Sequence, residues 1–160
     1  MALDKGSVVA VIGSGAMGSG IAQVAAAAGH PVLLFDTREG AAAKAIADIG
    51  KVFGKLVEKG RMTGPDADAA NARLRVAGSL EDVSGAAIVV EAIVEDLDVK
   101  RKLFAELETI VGDDCILATN TSSISVTAIA AQLRRPQRLV GMHFFNPVPL
   151  MALVEVISGL

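Results

Sequence analysis

The chain has no tryptophan, no tyrosine, one cysteine and two histidines in 160 residues. Aromatic residues make up 3%, too few for the rows of rings on which unpaired bases or sugars stack. The single cysteine, Cys115, excludes an intramolecular disulfide. It lies in the apolar run Cys115-Ile116-Leu117-Ala118, which predicts a buried, inert thiol. Two histidines and one cysteine do not make up a common zinc site, so no metal is expected. Charge of one sign is also lacking: 15 Lys and Arg stand against 18 Asp and Glu, a net of -3. That balance leaves no electrostatic footprint for nucleic acid or an anionic membrane. No apolar run approaches the ~20 residues of a membrane-spanning helix, and the N-terminus does not read as a signal peptide. A soluble protein of a reducing compartment, most simply the cytoplasm, is expected.

Hydrophobic residues are 52% of the chain, ample for a core and against disorder. The length suits one domain. The last eight residues, from Leu153 to Leu160, are largely apolar and carry no polar tail. Residues 1–160 are therefore expected to be one domain of a longer protein.

Short apolar runs alternate with helical stretches. Strands are predicted over 7–12, 31–35, 74–76, 86–90, 115–118, 139–144 and 153–157. Helices are predicted over 16–28, about 39–59, 66–72, 97–111 and 126–132. Gly29 caps the first of these and Gly60 ends the second. Runs that are apolar throughout, alternating with helices, predict a doubly wound α/β fold of Rossmann type with a mainly parallel sheet.

The first strand runs into Gly13-Ser14-Gly15-Ala16-Met17-Gly18, a GxGxxG that leads directly into a helix. A lone match of this kind is weak, but here strand, glycines and helix come in the required order. Gly13 permits the turn, Gly15 lets the backbone approach a pyrophosphate, and Gly18 lets the helix pack on the strand. The helix opening at Ala16 directs its free N–H groups at the phosphates. The second strand ends at Asp36, where an acidic residue can accept from the adenosine ribose. It would repel a 2′-phosphate, which favours NAD over NADP. Arg38 reads as a solvated loop charge. A bland alternative makes Asp36 a helix N-cap, and binders of FAD or S-adenosylmethionine share parts of the pattern.

Ligands of open α/β sheets bind beyond the carboxyl ends of the strands. Most of the unusual polar residues fall there: Glu91, Glu95 and Lys100; Thr119, Asn120, Thr121, Ser122 and Ser123; His143 and Asn146. Glu91 and Glu95 could equally be a solvated first turn of a helix. Thr121, Ser122 or Ser123 could be a simple N-cap. His143 and Glu155 are harder to explain as structure alone. A carboxylate at 155, inside an apolar strand, is costly unless paired. If the last two strands form a hairpin, the two side chains can meet. The carboxylate then fixes the imidazole tautomer, and the other ring nitrogen is free to move a proton.

Gly13-Ser14-Gly15-Ala16-Met17-Gly18, Val90-Glu91-Ala92-Ile93-Val94-Glu95, Asn120-Thr121-Ser122-Ser123 and His143-Phe144-Phe145-Asn146-Pro147-Val148-Pro149 together resemble the L-3-hydroxyacyl-CoA dehydrogenases, over about residues 7–157. The resemblance implies NAD as cofactor, an acyl-CoA substrate and oxidation of L-3-hydroxyacyl-CoA to 3-ketoacyl-CoA in fatty acid or related acyl-CoA degradation. It implies cofactor contacts at Gly13, Gly15, Ala16, Met17, Gly18, Asp36, Glu95, Lys100, Ser122 and Asn146. It implies His143 as acid/base, Glu155 as its partner, and Ser122 near both nicotinamide and substrate oxygen. It also implies a second, helical domain that completes the substrate site and carries the contacts of a homodimer. The 160 residues alone are then expected to bind NAD and to turn over poorly. Two alternatives remain: a related NAD-dependent 3-hydroxy acid dehydrogenase that does not use CoA, and a non-catalytic NAD-binding module.

Overall fold

A computed structural model describes residues 3–159. The strands are β1 Val9–Ile12, β2 Val32–Phe35, β3 Leu74–Val76, β4 Ile88–Glu91, β5 Ile116–Thr119, β6 Leu139–Phe144 and β7 Val154–Ser158. The helices are α1 Ala16–Ala27, α2 Ala41–Glu58, α3 Gly64–Arg73, α4 Leu97–Ile110 and α5 Val126–Ala130. One sheet has the order β3-β2-β1-β4-β5-β6-β7. The pairs from β3 to β6 are parallel, and β7 returns antiparallel to β6. This is the doubly wound Rossmann arrangement, with its switch point between β1 and β4.

Both faces of the central strands are buried, which explains their unbroken apolar runs. Val9 and Val11 pack with Ile21, Leu34, Ile49 and Phe53 under α1 and α2. Ala10 and Ile12 pack on the other face with Phe104, Leu107, Leu117 and Ile129 under α4 and α5. Helix α1 ends as the sequence predicts. Gly29 has φ +107°, its N–H donates to Ala26, and the N–H of His30 donates to Ala25, closing the last turn.

Several boundaries move for local reasons. The third helix starts at Gly64, because the Thr63 hydroxyl accepts from the N–H of Asp66 and Pro65 suits the first turn. Strand β4 runs on through Glu91, which pairs with Ile12 on one side and Thr119 on the other. Glu91 is thus the buried end of a strand and not part of a solvated helical turn. Helix α5 is shorter than its apolar pattern and takes Ser125 as N-cap, so the capping alternative for Thr121, Ser122 and Ser123 does not hold. Asp36 is likewise no N-cap, since α2 is entered through Gly40.

The β6–β7 hairpin forms, but β7 is an edge strand with Val156 69% and Ile157 45% exposed. The Glu155 side chain is 51% exposed. Its place inside an apolar strand implies a carboxylate that must be paired, and the exposed edge removes that compulsion.

Candidate cofactor and active site

The parallel register aligns the carboxyl ends of the strands, so that Ile12, Phe35, Glu91 and Thr119 lie in one row. Two adjoining clefts open over this row and share Ala92 and Ile93. One, of about 400 Å3, is lined by the Gly13–Gly15 turn together with Asp36, Thr37 and Arg38. The other, of about 330 Å3, is lined by Met17, Glu95, Lys100, Asn120, Ser122, His143 and Asn146. A larger hollow of about 580 Å3 lies between α1 and α2 and contains none of His143, Ser122 or Glu95.

The glycine turn fits a pyrophosphate. Gly13 has φ +104° and packs against the carbonyl of Ala92. A Cβ at Gly18 would strike the carbonyl of Gly13, so α1 needs a bare backbone there to sit on the strand end. Gly15 differs. Its φ is -68°, which any residue adopts, and a Cβ there would meet nothing within 4 Å. The space beside Gly15 is therefore not used by the protein, as expected of a backbone that a phosphate must approach.

Asp36 is heavily engaged. One carboxylate oxygen accepts from the Ser14 N–H at 2.9 Å and the Ser14 hydroxyl at 2.6 Å. The Arg38 guanidinium grips both oxygens, at 3.1 and 3.0 Å. Hydrogen bonds from Arg38 and Ser14 hold the Asp36 carboxyl well below the usual carboxylate range, against the opposing effect of burial. Arg38 is exposed but is not the free loop charge that the sequence suggests.

A polar belt crosses the ends of β4, β5 and β6. Glu91 accepts from Lys100, from the Ile93 N–H at 2.8 Å and from the Thr119 hydroxyl at 2.6 Å. Lys100 Nζ also lies 3.5 Å from Glu95. Glu95 accepts from the Thr121 hydroxyl at 2.7 Å, and from the Ser122 N–H and hydroxyl at 3.1 and 3.3 Å. Burial raises the Glu95 carboxyl, but the bonds from Thr121 and Ser122 and the charge of Lys100 outweigh it and hold it low. Asn120 Oδ1 accepts from the Phe144 N–H at 2.9 Å, tying the end of β5 to the strand end that carries His143.

His143 and Glu155 are direct cross-strand partners, with Nδ1 and Oε2 3.2 Å apart. The imidazole also leans on Phe145, centroid to centroid 4.6 Å. Among the described residues Nε2 has no hydrogen-bond partner, and His143 lines the same cleft as Ser122 and Asn146. The segment after β6 is brought to the glycine turn by Gly20, where a Cβ would lie 2.7 Å from the Cβ of Val148. The His143–Pro149 motif thus packs through one bare helical position against the helix that follows the glycine turn.

The site residues expected from the sequence line the two clefts except Ala16, which borders the hollow between α1 and α2, Gly18, which packs against the carbonyl of Gly13, and Glu155, which stands behind His143. Sequence reasoning missed the roles of Ser14, Thr121 and Asn120. Their only signal was a hydroxyl or amide at the end of a strand or next to a required glycine.

The family model described as "3-hydroxyacyl-CoA dehydrogenase, NAD binding domain" matches residues 8–160. The chain is 47% identical over 152 residues to 3-hydroxyadipyl-CoA dehydrogenase of Escherichia coli (strain K12), covering 95% of this chain and 32% of that protein. It is 46% identical over 151 residues to 3-hydroxybutyryl-CoA dehydrogenase of Clostridioides difficile, covering 94% and 54%. The crystal structure of 3-hydroxybutyryl-CoA dehydrogenase from Escherichia coli K12 superposes with a TM-score of 0.92 at 45% identity, over 96% of this chain and 32% of that one. The chain belongs to the 3-hydroxyacyl-CoA dehydrogenase family and corresponds to its NAD-binding domain. Its cofactor is NAD, and the open space at Gly15 fits that molecule. The chain spans from about a third to about half the length of these relatives.

Proposed function

We propose that this chain is the cofactor-binding and proton-transfer half of an NAD-dependent L-3-hydroxyacyl-CoA dehydrogenase. The observation that carries the reading is the His143–Glu155 pair, 3.2 Å apart, with Nε2 free beside Ser122 in a cleft continuous with the glycine turn.

Bound NAD supplies the hydride acceptor at its nicotinamide. Gly13, Gly15 and Gly18, with the α1 N–H groups of Ala16 and Met17, hold the pyrophosphate. Asp36 accepts from the adenosine ribose, with Arg38 turning outward to make room. Glu95, Lys100, Ser122 and Asn146 line the nicotinamide end. His143, with Nδ1–H donated to Glu155, removes the proton of the substrate 3-hydroxyl at Nε2 as hydride leaves C3. The product is a ketone and an imidazolium, and the carboxylate of Glu155 stabilises that cation. The Ser122 hydroxyl turns from Glu95 to polarise the substrate oxygen.

The reading includes an acyl-CoA substrate and a second, helical domain that closes over it and carries the contacts of a homodimer. Exposed Leu150, Leu153, Val156 and Ile157 support a covering partner at the β7 edge. On this reading the 160 residues alone bind NAD and turn over poorly. It extends to a cytoplasmic location, supported by a lone cysteine kept as a buried thiol.

The test is His143→Gln in the full-length protein, assayed with acetoacetyl-CoA and NADH. Turnover is expected to fall by about 10²–10⁴ with NADH affinity unchanged. Undiminished turnover removes His143 from the role, and equal turnover on the free acid removes CoA from the substrate.

A further inference from the structure

Glu91 has no part in the roles above, yet its side chain is 0% exposed at the carboxyl end of a central strand. Its principal partner, Lys100, is 2% exposed. A buried ion pair contributes little net stability compared with an apolar pair of the same volume, because desolvation offsets the attraction. What such a pair does fix is position.

Lys100 stands between two carboxylates. Glu91 holds the ammonium closely, while Glu95 lies 3.5 Å away. Both oxygens of Glu95 accept from the loop after β5: Oε1, the atom 3.5 Å from Lys100, from the Thr121 hydroxyl, and Oε2 from the N–H and hydroxyl of Ser122. A buried ammonium requires a partner. With Glu91 uncharged, Glu95 is the only carboxylate beside Lys100 among the described residues, and it would be drawn off Thr121 and Ser122. Glu91 also holds the Thr119 hydroxyl, which accepts from the N–H of Thr121, so the same carboxylate steadies the loop from beneath.

We propose that Glu91 is a positioning residue of the cofactor site. It occupies Lys100 so that Glu95 remains on Ser122, and the cleft beside His143 keeps the shape a nicotinamide riboside needs. The proposal rests on the nicotinamide lying in this cleft, as read above.

The experiment compares NAD⁺ with ADP-ribose by calorimetric titration of the chain. ADP-ribose shares the adenosine and pyrophosphate that the glycine turn and Asp36 hold, but lacks the nicotinamide. Glu91→Gln is expected to weaken NAD⁺ binding by about tenfold while ADP-ribose binding changes by less than about twofold. Glu91→Asp, which withdraws the charge by one methylene, is expected to shift the ratio of the two affinities the same way by about threefold. That variant carries the test if the Gln variant does not fold. A merely structural glutamate would weaken both ligands alike, and that result, or no change in either, overturns the proposal. Glu95→Gln is measured alongside. If it leaves the ratio untouched, the nicotinamide is not in this cleft and both readings fall. If it lowers the ratio while the Glu91 variants do not, only the role of Glu91 falls.

Discussion

His143 and Glu155 occupy the same rung of the β6–β7 ladder, and their side chains meet at 3.2 Å. The contact is made on an edge strand, with the Glu155 side chain 51% exposed. Solvent screening makes such a pair a weak stabiliser. On the proposed reading its use is orientation: a proton held on Nδ1 would leave Nε2 as the base. Glu155→Gln in the full-length protein is therefore expected to lower kcat by about ten- to a hundredfold. The Tm and NADH affinity should stay near wild type. Steady-state rates with acetoacetyl-CoA and NADH fluorescence titration check this, and a large loss of Tm would mark the pair as structural.

Gly15 and Gly18 should respond in opposite ways. Gly15→Ala adds a Cβ where the protein has no atom within 4 Å, so thermal unfolding should be unchanged while NAD⁺ binding weakens by about tenfold. Gly18→Ala drives a Cβ into the Gly13 carbonyl and should destabilise the fold by roughly 1–3 kcal/mol. Calorimetry and thermal melts on the two variants separate the cradle from the packing contact.

The low carboxyl of Asp36 sets a pH expectation. A group whose folded value lies below its unfolded value adds stability that is present above the unfolded value. That stability is lost as pH falls through the folded value. Arg38 and Ser14 hold Asp36 ionised below the usual range in the free chain, so its contribution to folding, and on the proposed reading its readiness to accept from the ribose, should persist at pH 5. NAD⁺ affinity of wild type at pH 5 should stay above that of Asp36→Asn, which should be weak at both pH 7 and pH 5. Convergence of the two proteins at pH 5 would contradict it.

Cys115 is buried, and burial pushes its thiol up to about 11. Alkylation by iodoacetamide at pH 8 should be slow in the folded chain and rapid in denaturant, because the thiolate is the reactive form. Mass spectrometry over time gives the ratio, and fast labelling of the native chain would reverse the assignment.

Much of this protein follows from residue order alone. The alternation of apolar runs and helical periods determined the doubly wound sheet, since strands buried on both faces leave no polar face in the sequence. The glycine spacing determined the cradle, because Gly13 and Gly18 answer steric needs of the fold that no other residue meets, while Gly15 leaves open space beside the backbone. The hairpin pairing of His143 with Glu155 was also legible, being local in sequence.

Other features required the third dimension. Polarity ends a strand on paper, but Glu91 stays in β4 because Lys100, from the next helix, and Thr119, from the neighbouring strand, satisfy its charge. The grip of Ser14 on Asp36, 22 residues away, depends on two strand ends lying side by side. The hold of Glu95 on Ser122 spans 27 residues. Periodicity reports which face a residue takes, whereas a hydrogen bond between distant segments depends on register. The parallel sheet sets that register, and with it which polar residues share the cleft.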